Sequence, residues 1–95
     1  MNTEILNKLK QLKPKLKEQY GIEEFALFGS YARGEENKNS DIDLAITKIN
    51  KKDYFLRSQV KYFLEEELHK KVDLGYFDSM RGIIQNEVKK DMVYV

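Results

Sequence analysis

Apolar residues recur along this chain with two different periods, and the switches between them mark its elements. Between residues 3 and 20, Ile5, Leu9, Leu12 and Leu16 fall at i, i+4, i+7 and i+11, one stripe of a helix. Thr3 stands where an N-cap belongs, and Gly21 where a left-handed residue stops a helix. Pro14 interrupts the stripe, so the segment reads as one kinked helix or as two short ones. The run Phe25-Ala26-Leu27-Phe28 predicts a buried strand over residues 23–29. A polar loop at 35–40 leads into a second apolar run, Asp-Ile-Asp-Leu-Ala-Ile, and a strand over 41–47. Helical spacing returns from Lys52 to Lys70, with Leu56, Val60, Phe63, Leu64 and Leu68 inward. A third strand is expected at 71–76. A last helix follows from Ser79, as N-cap, to Lys90, with Met80, Ile83, Ile84 and Val88 inward, and residues 92–95 add a short terminal strand.

The first two strands are joined by a short connection and are expected to pair antiparallel. The third arrives after a helical crossover, which favours parallel pairing with the second. The fold class is therefore α+β: a small mixed sheet backed by helices. Residues 1–95 are expected to form a single domain, long enough to bury roughly two-thirds of the unfolded surface.

Charge changes this picture little. Seventeen Lys and Arg face sixteen Asp and Glu, a net +1, without the clustered excess of a nucleic-acid-binding domain. The lysines of the first third read as the solvated face of an amphipathic helix. With no cysteine, there is no disulfide and no thiolate metal site. No signal-peptide core or membrane-length apolar run is present, and the expectation is a soluble, cytoplasmic protein.

The chemistry lies between Gly29 and Ile46. Gly29-Ser30 directly follows the first strand, where glycine permits a sharp turn and close approach to a ligand. Ser30 then opens a short helical turn around Tyr31–Arg33, whose amides attract phosphate, although the serine could equally be a plain N-cap. With ten residues between Ser30 and the first of them, Asp41 and Asp43 stand at i, i+2 on the second strand. Side chains alternate along a strand, so both carboxylates face one side, exposed, while Ile42 and Leu44 enter the core. Aspartate is disfavoured in strands, and a divalent cation gives two of them a reason. A lone Asp-x-Asp is weak evidence; the spaced combination with Gly-Ser, on strands, is strong.

Gly29-Ser30, Ala32-Arg33-Gly34 and Ser40-Asp41-Ile42-Asp43-Leu44 together resemble the DNA polymerase β-like nucleotidyltransferase superfamily, and within it the minimal nucleotidyltransferases, the MNT group. The resemblance implies the polymerase β palm-like fold. It extends to Lys71-Val72-Asp73-Leu74-Gly75, where the family places its third carboxylate. It implies that Asp41, Asp43 and Asp73 are catalytic and hold one or two Mg²⁺ ions, with ATP as substrate. Gly29, Ser30, Arg33 and Ser40 would serve the nucleotide. Arg33 has two readings, a phosphate contact or a brace paired with Glu35, Glu36 or a site aspartate. Ser40 would orient the turn before the acids. Tyr31 and the lone His69 read as a packing residue and a helix-end residue.

No added acceptor-holding domain is visible after the third carboxylate. MNT proteins are usually partnered with HEPN-domain toxins, and the resemblance implies an antitoxin that moves AMP from ATP onto a tyrosine of such a partner, with neither nucleic acid nor membrane involved. Two other readings compete: a non-catalytic nucleotide-binding subunit that masks its partner, and a small-molecule (antibiotic-type) transferase whose acceptor-binding chain is separate.

Overall fold

A computed structural model describes residues 3–50 and 54–95. Helix α1 (Thr3–Tyr20) runs unbroken through Pro14 and buries Ile5, Leu6, Leu9 and Leu16. Lys10, whose carbonyl loses its i+4 donor at the proline, and Pro14 itself are both exposed, which leaves that carbonyl to water. Because the helix already includes Thr3, the N-cap position falls on a residue outside the described ones. Gly21 ends the helix as the spacing predicts: its φ is +71°, and its N–H donates to the Lys17 carbonyl at 3.0 Å.

Strand β1 (Ile22–Phe28) and helix α2 (Ser30–Arg33) follow, then strand β2 (Ile42–Ile49) and helix α3 (Tyr54–Leu68). The predicted start of α3, at Lys52, lies outside the described residues. Strand β3 (Val72–Tyr76), a 3₁₀ turn (Phe77–Ser79), helix α4 (Gly82–Asp91) and strand β4 (Val93–Tyr94) complete the chain. The sheet order is β3-β2-β1-β4. β1 pairs antiparallel with β2 and with β4, whereas β2 and β3 run parallel, so the α+β expectation and both predicted pairings hold.

Helices α1 and α3 cover one face of the sheet and pack on each other. Val60, Leu64 and Leu68 of α3 meet Leu9 and Leu16 of α1 and Phe25, Leu27, Ile42, Leu44 and Val72 of the sheet in one cluster. Each such side chain contributes about 1.5–3 kcal/mol when fully buried. Tyr20 and Phe63 meet at the helix–helix seam, their rings tilted by 46° with centroids 5.8 Å apart. The other face carries small residues in register, Ala26 opposite Ala45 and Ala45 opposite Gly75. Met80 sits over Gly75, its Cε 3.3 Å from where a Cβ would lie.

The last helix corrects the sequence reading. Ser79 belongs to the 3₁₀ turn; α4 starts three residues later, with Arg81 at the N-cap and no side-chain cap bond. Only Val88 is buried on it, while Ile83 and Ile84 are 73% and 47% exposed. A period-3.6 pattern fixes which residues share a face, but not whether another element lies against that face.

Candidate active site

Three chain segments meet at one end of the sheet: the end of β1 and the starts of β2 and β3. Phe28 is opposite Asp43 in the antiparallel ladder, and Asp43 is level with Asp73 in the parallel one. Parallel partners at one level point to the same face, so register alone puts these two carboxylates side by side. Asp41 lies two residues upstream, just before β2 begins, on the same side of the alternation.

Gly29 is the hinge of the arrangement. Its φ of +74° and ψ of −152° lie where only glycine is comfortable. A Cβ there would overlap the Asp43 carboxylate and stand 3.1 Å from its Cγ, so bare backbone is seated against the acid. The chain then turns through α2, closed by Arg33 N–H donating to the Gly29 carbonyl at 3.1 Å and Glu35 N–H donating to that of Ser30 at 2.9 Å. Gly34, at φ +73°, ends the turn. Ser30 is the first helical residue; the N-cap position belongs to Gly29, which corrects the capping role read from sequence. Tyr31 is buried at 1% exposure and holds α2 down as a packing residue.

Asp41 and Asp73 are exposed, but Asp43 is half-buried, contrary to the expectation that both members of the pair face solvent. The Asp43 pKa is raised from its ordinary value to about 6, by burial first and then by the charges of Asp73 and Asp41, while Arg33 pulls the other way. The three carboxylates form no hydrogen bond or ion pair within the chain among the described residues. Unpaired acids crowded at one point suit a hard cation. Their spacing does not close a cage, since among the described residues no three acidic, histidine or cysteine side chains are placed to hold a metal unaided. Mg²⁺ fits such an open set, because it is commonly bound by one or two carboxylates together with substrate phosphates.

Arg33 lies next to this cluster and is held away from it. Its Nη1 donates to Asp91 Oδ2 at 2.7 Å and its Nε to Glu35 Oε2 at 3.2 Å. These bonds, that to Asp91 foremost, raise the guanidinium pKa above its usual value. Glu35 is among the partners named for the bracing role; Asp91 was not anticipated. It is 58 residues away on the last turn of α4, and no local pattern links the two. Ser40 closes the turn before the acids: its Oγ accepts from Asn37 N–H at 2.9 Å and its N–H donates to the Asn37 carbonyl at 3.0 Å. His69 ends α3 at φ +56°, exposed.

The geometry has two measurable consequences. The folded Asp43 pKa lies above the unfolded one, so this group adds stability as pH falls through about 6 and costs stability above it. In the absence of divalent cations, Asp43→Asn is expected to raise unfolding stability at pH 7 by about 1 kcal/mol, a value discounted for solvent screening, with the gap shrinking at pH 4.5 in urea denaturation. Gly29→Ala is expected to lower stability by about 1–3 kcal/mol in the same assay, since the left-handed backbone and the acid behind it both resist a methyl group.

Residues 9–95 match the family described as "Nucleotidyltransferase domain". A Methanocaldococcus jannaschii relative assigned as a protein adenylyltransferase is 34% identical over 94 residues, covering 98% of this chain and 96% of its own. The protein adenylyltransferase MntA of Thermococcus cleftensis is 33% identical over 83 residues, 87% of this chain and 84% of that one. The fold is similar to a chain in a crystal structure of a toxin–antitoxin with AMP-PNP (TM-score 0.75, 28% identity, 93% of this chain and 69% of the other). It is also similar to a chain in the structure of a tri-AMPylated Shewanella oneidensis HEPN toxin in complex with an MNT antitoxin (TM-score 0.67, 25% identity, 94% and 68%). An acid pair in register with a third acid, beside a glycine-serine bend and within a matched span of this length, makes the chain a member of the nucleotidyltransferase family.

Proposed function

We propose that this chain is a Mg²⁺-dependent protein adenylyltransferase, the antitoxin of a HEPN/MNT pair, which transfers AMP from ATP to a tyrosine hydroxyl of a HEPN toxin. The observation that carries the reading is the meeting of Gly29, Asp43 and Asp73 at one sheet end, in a chain whose relatives are adenylyltransferases. Among the described residues no helix is long and apolar enough to cross a membrane.

In this reading Asp41, Asp43 and Asp73 would hold the cation. When bound, Mg²⁺ would neutralise charge on the triphosphate and on the leaving pyrophosphate. Gly29 permits the turn that seats the backbone against Asp43, and the Ser30 hydroxyl, which has no hydrogen-bond partner among the described residues, is available to donate to phosphate. Asp73, exposed beside Asp43, would accept the proton of the attacking hydroxyl. The new bond joins the tyrosine oxygen to the α-phosphorus, and the bond to pyrophosphate breaks. Arg33, steadied by Asp91 and Glu35, supports the nucleotide-binding bend, and Ser40 supports the turn that presents Asp41.

With α-labelled ATP, label is expected to move to a tyrosine of the co-purified partner, and Asp41→Asn combined with Asp43→Asn to reduce transfer by at least 10³-fold while the fold persists. Label appearing on a small molecule instead would favour an antibiotic-type transferase. The Mg²⁺ affinity of the free chain should weaken about tenfold per pH unit below about 6, as Asp43 takes up its proton, in a calorimetric titration. Asp91→Ala should lower transfer efficiency about 3–10-fold. Glu35→Ala should change it little, because the Glu35 side chain is 65% exposed and its ion pair is weak.

A further inference from the structure

Beside Asp41, away from the Gly29-Ser30 bend, lies a cleft of about 350 Å³ whose lining includes Lys38, Asp41, His69, Lys70 and Lys71. Its size falls at the lower end of the roughly 300–1,000 Å³ typical of small-molecule sites. Two loops build it, one leading into β2 and one into β3, tied together where Ile42 N–H donates to the Lys71 carbonyl at 2.9 Å. His69, at φ +56° with its N–H on the Glu65 carbonyl, turns the chain out of α3, and the three basic residues from 69 to 71 follow in succession.

The lysines here have no paired acid among the described residues. Lys38, Lys70 and Lys71 are exposed and make no side-chain hydrogen bond or ion pair among the described residues. Basic residues after a helix do offset its negative end, which accounts for Lys70 and Lys71. It does not account for Lys38, which comes from a different loop. Asp41 is the one acid in the lining, and its charge is the one that a bound cation would neutralise. The nearby Glu65 is engaged, accepting from Val72 N–H at 2.9 Å.

The sheet order separates the two flanks of the acids. The glycine-serine bend ends β1 on one side, and the basic cleft opens at β2 and β3 on the other. We propose that this cleft holds the phosphodiester of an AMP group already attached to the acceptor, and so lets the same chain add further AMP groups. The inference rests on the adenylyltransferase reading above. It is consistent with the tri-AMPylated toxin found with a similar antitoxin. In each later round a ribose hydroxyl of the attached AMP forms a bond to the α-phosphorus of a new ATP. The bond to pyrophosphate breaks, pyrophosphate leaves with the electron pair, and the hydroxyl proton passes to Asp73.

The test follows the co-purified acceptor by time-resolved intact mass, with ATP and Mg²⁺ and full-length protein. In Lys38→Ala/Lys70→Ala/Lys71→Ala the first AMP should appear within about twofold of the wild-type rate, while the second and third slow more than tenfold. Tyrosine O-adenylate, titrated as an isolated probe, should bind the wild type and lose at least fivefold in affinity in the triple variant. Equal rates for all additions, or an equal fall in every addition including the first, would overturn the assignment of the cleft. No transfer by the wild type would instead remove the adenylyltransferase reading itself.

Discussion

The seating of the Gly29 backbone against the Asp43 carboxylate is the contact on which the rest of this site depends. Asp43 has a glycine on one side and Asp73, level with it on the next strand, on the other. Neither neighbour compensates its charge, and burial makes that charge costlier still, which is why its proton is held to about pH 6. A fold optimised only for stability would place an arginine here. Arg33 is within electrostatic reach, yet Asp91 and Glu35 occupy its donors and keep the acids open. The uncompensated charge is a stability cost carried at the proposed cation-binding position.

The scaffold sustains that cost by concentrating its apolar burial elsewhere. Helices α1 and α3 cover one face with Leu9, Leu16, Val60 and Leu64, all nearly inaccessible, against Phe25, Leu27, Ile42 and Leu44. The opposite face carries Ala26, Ala45 and Gly75 in register, and Asp91 at the end of α4 reaches Arg33.

Much of this was readable in the chain. The alternation in Asp41-Ile42-Asp43-Leu44 fixed which side chains face the core, and the crossover length fixed the parallel pairing that levels Asp73 with Asp43. Local chemistry was legible too, as with Gly21 at the end of α1. What could not be read depends on placement between distant segments. Asp91 lies 58 residues from Arg33, and the Gly29 backbone that lies against the Asp43 carboxylate belongs to a different segment of the chain. Ile83 and Ile84 show the same limit: their spacing is helical, but whether another element covers them is decided by tertiary placement.

The parallel β2–β3 ladder carries a consequence for how this protein becomes competent. Strands running the same way cannot be joined by a hairpin, so the third carboxylate reaches its neighbours only after α3 has been laid across the sheet. No short contiguous peptide contains the complete constellation. During synthesis the bend and the first two acids emerge well before Asp73, and a chain arrested inside α3 is a chain without a reaction centre. Assembly of the acid cluster is thus tied to closure of a non-local pairing in the sheet rather than to any local motif.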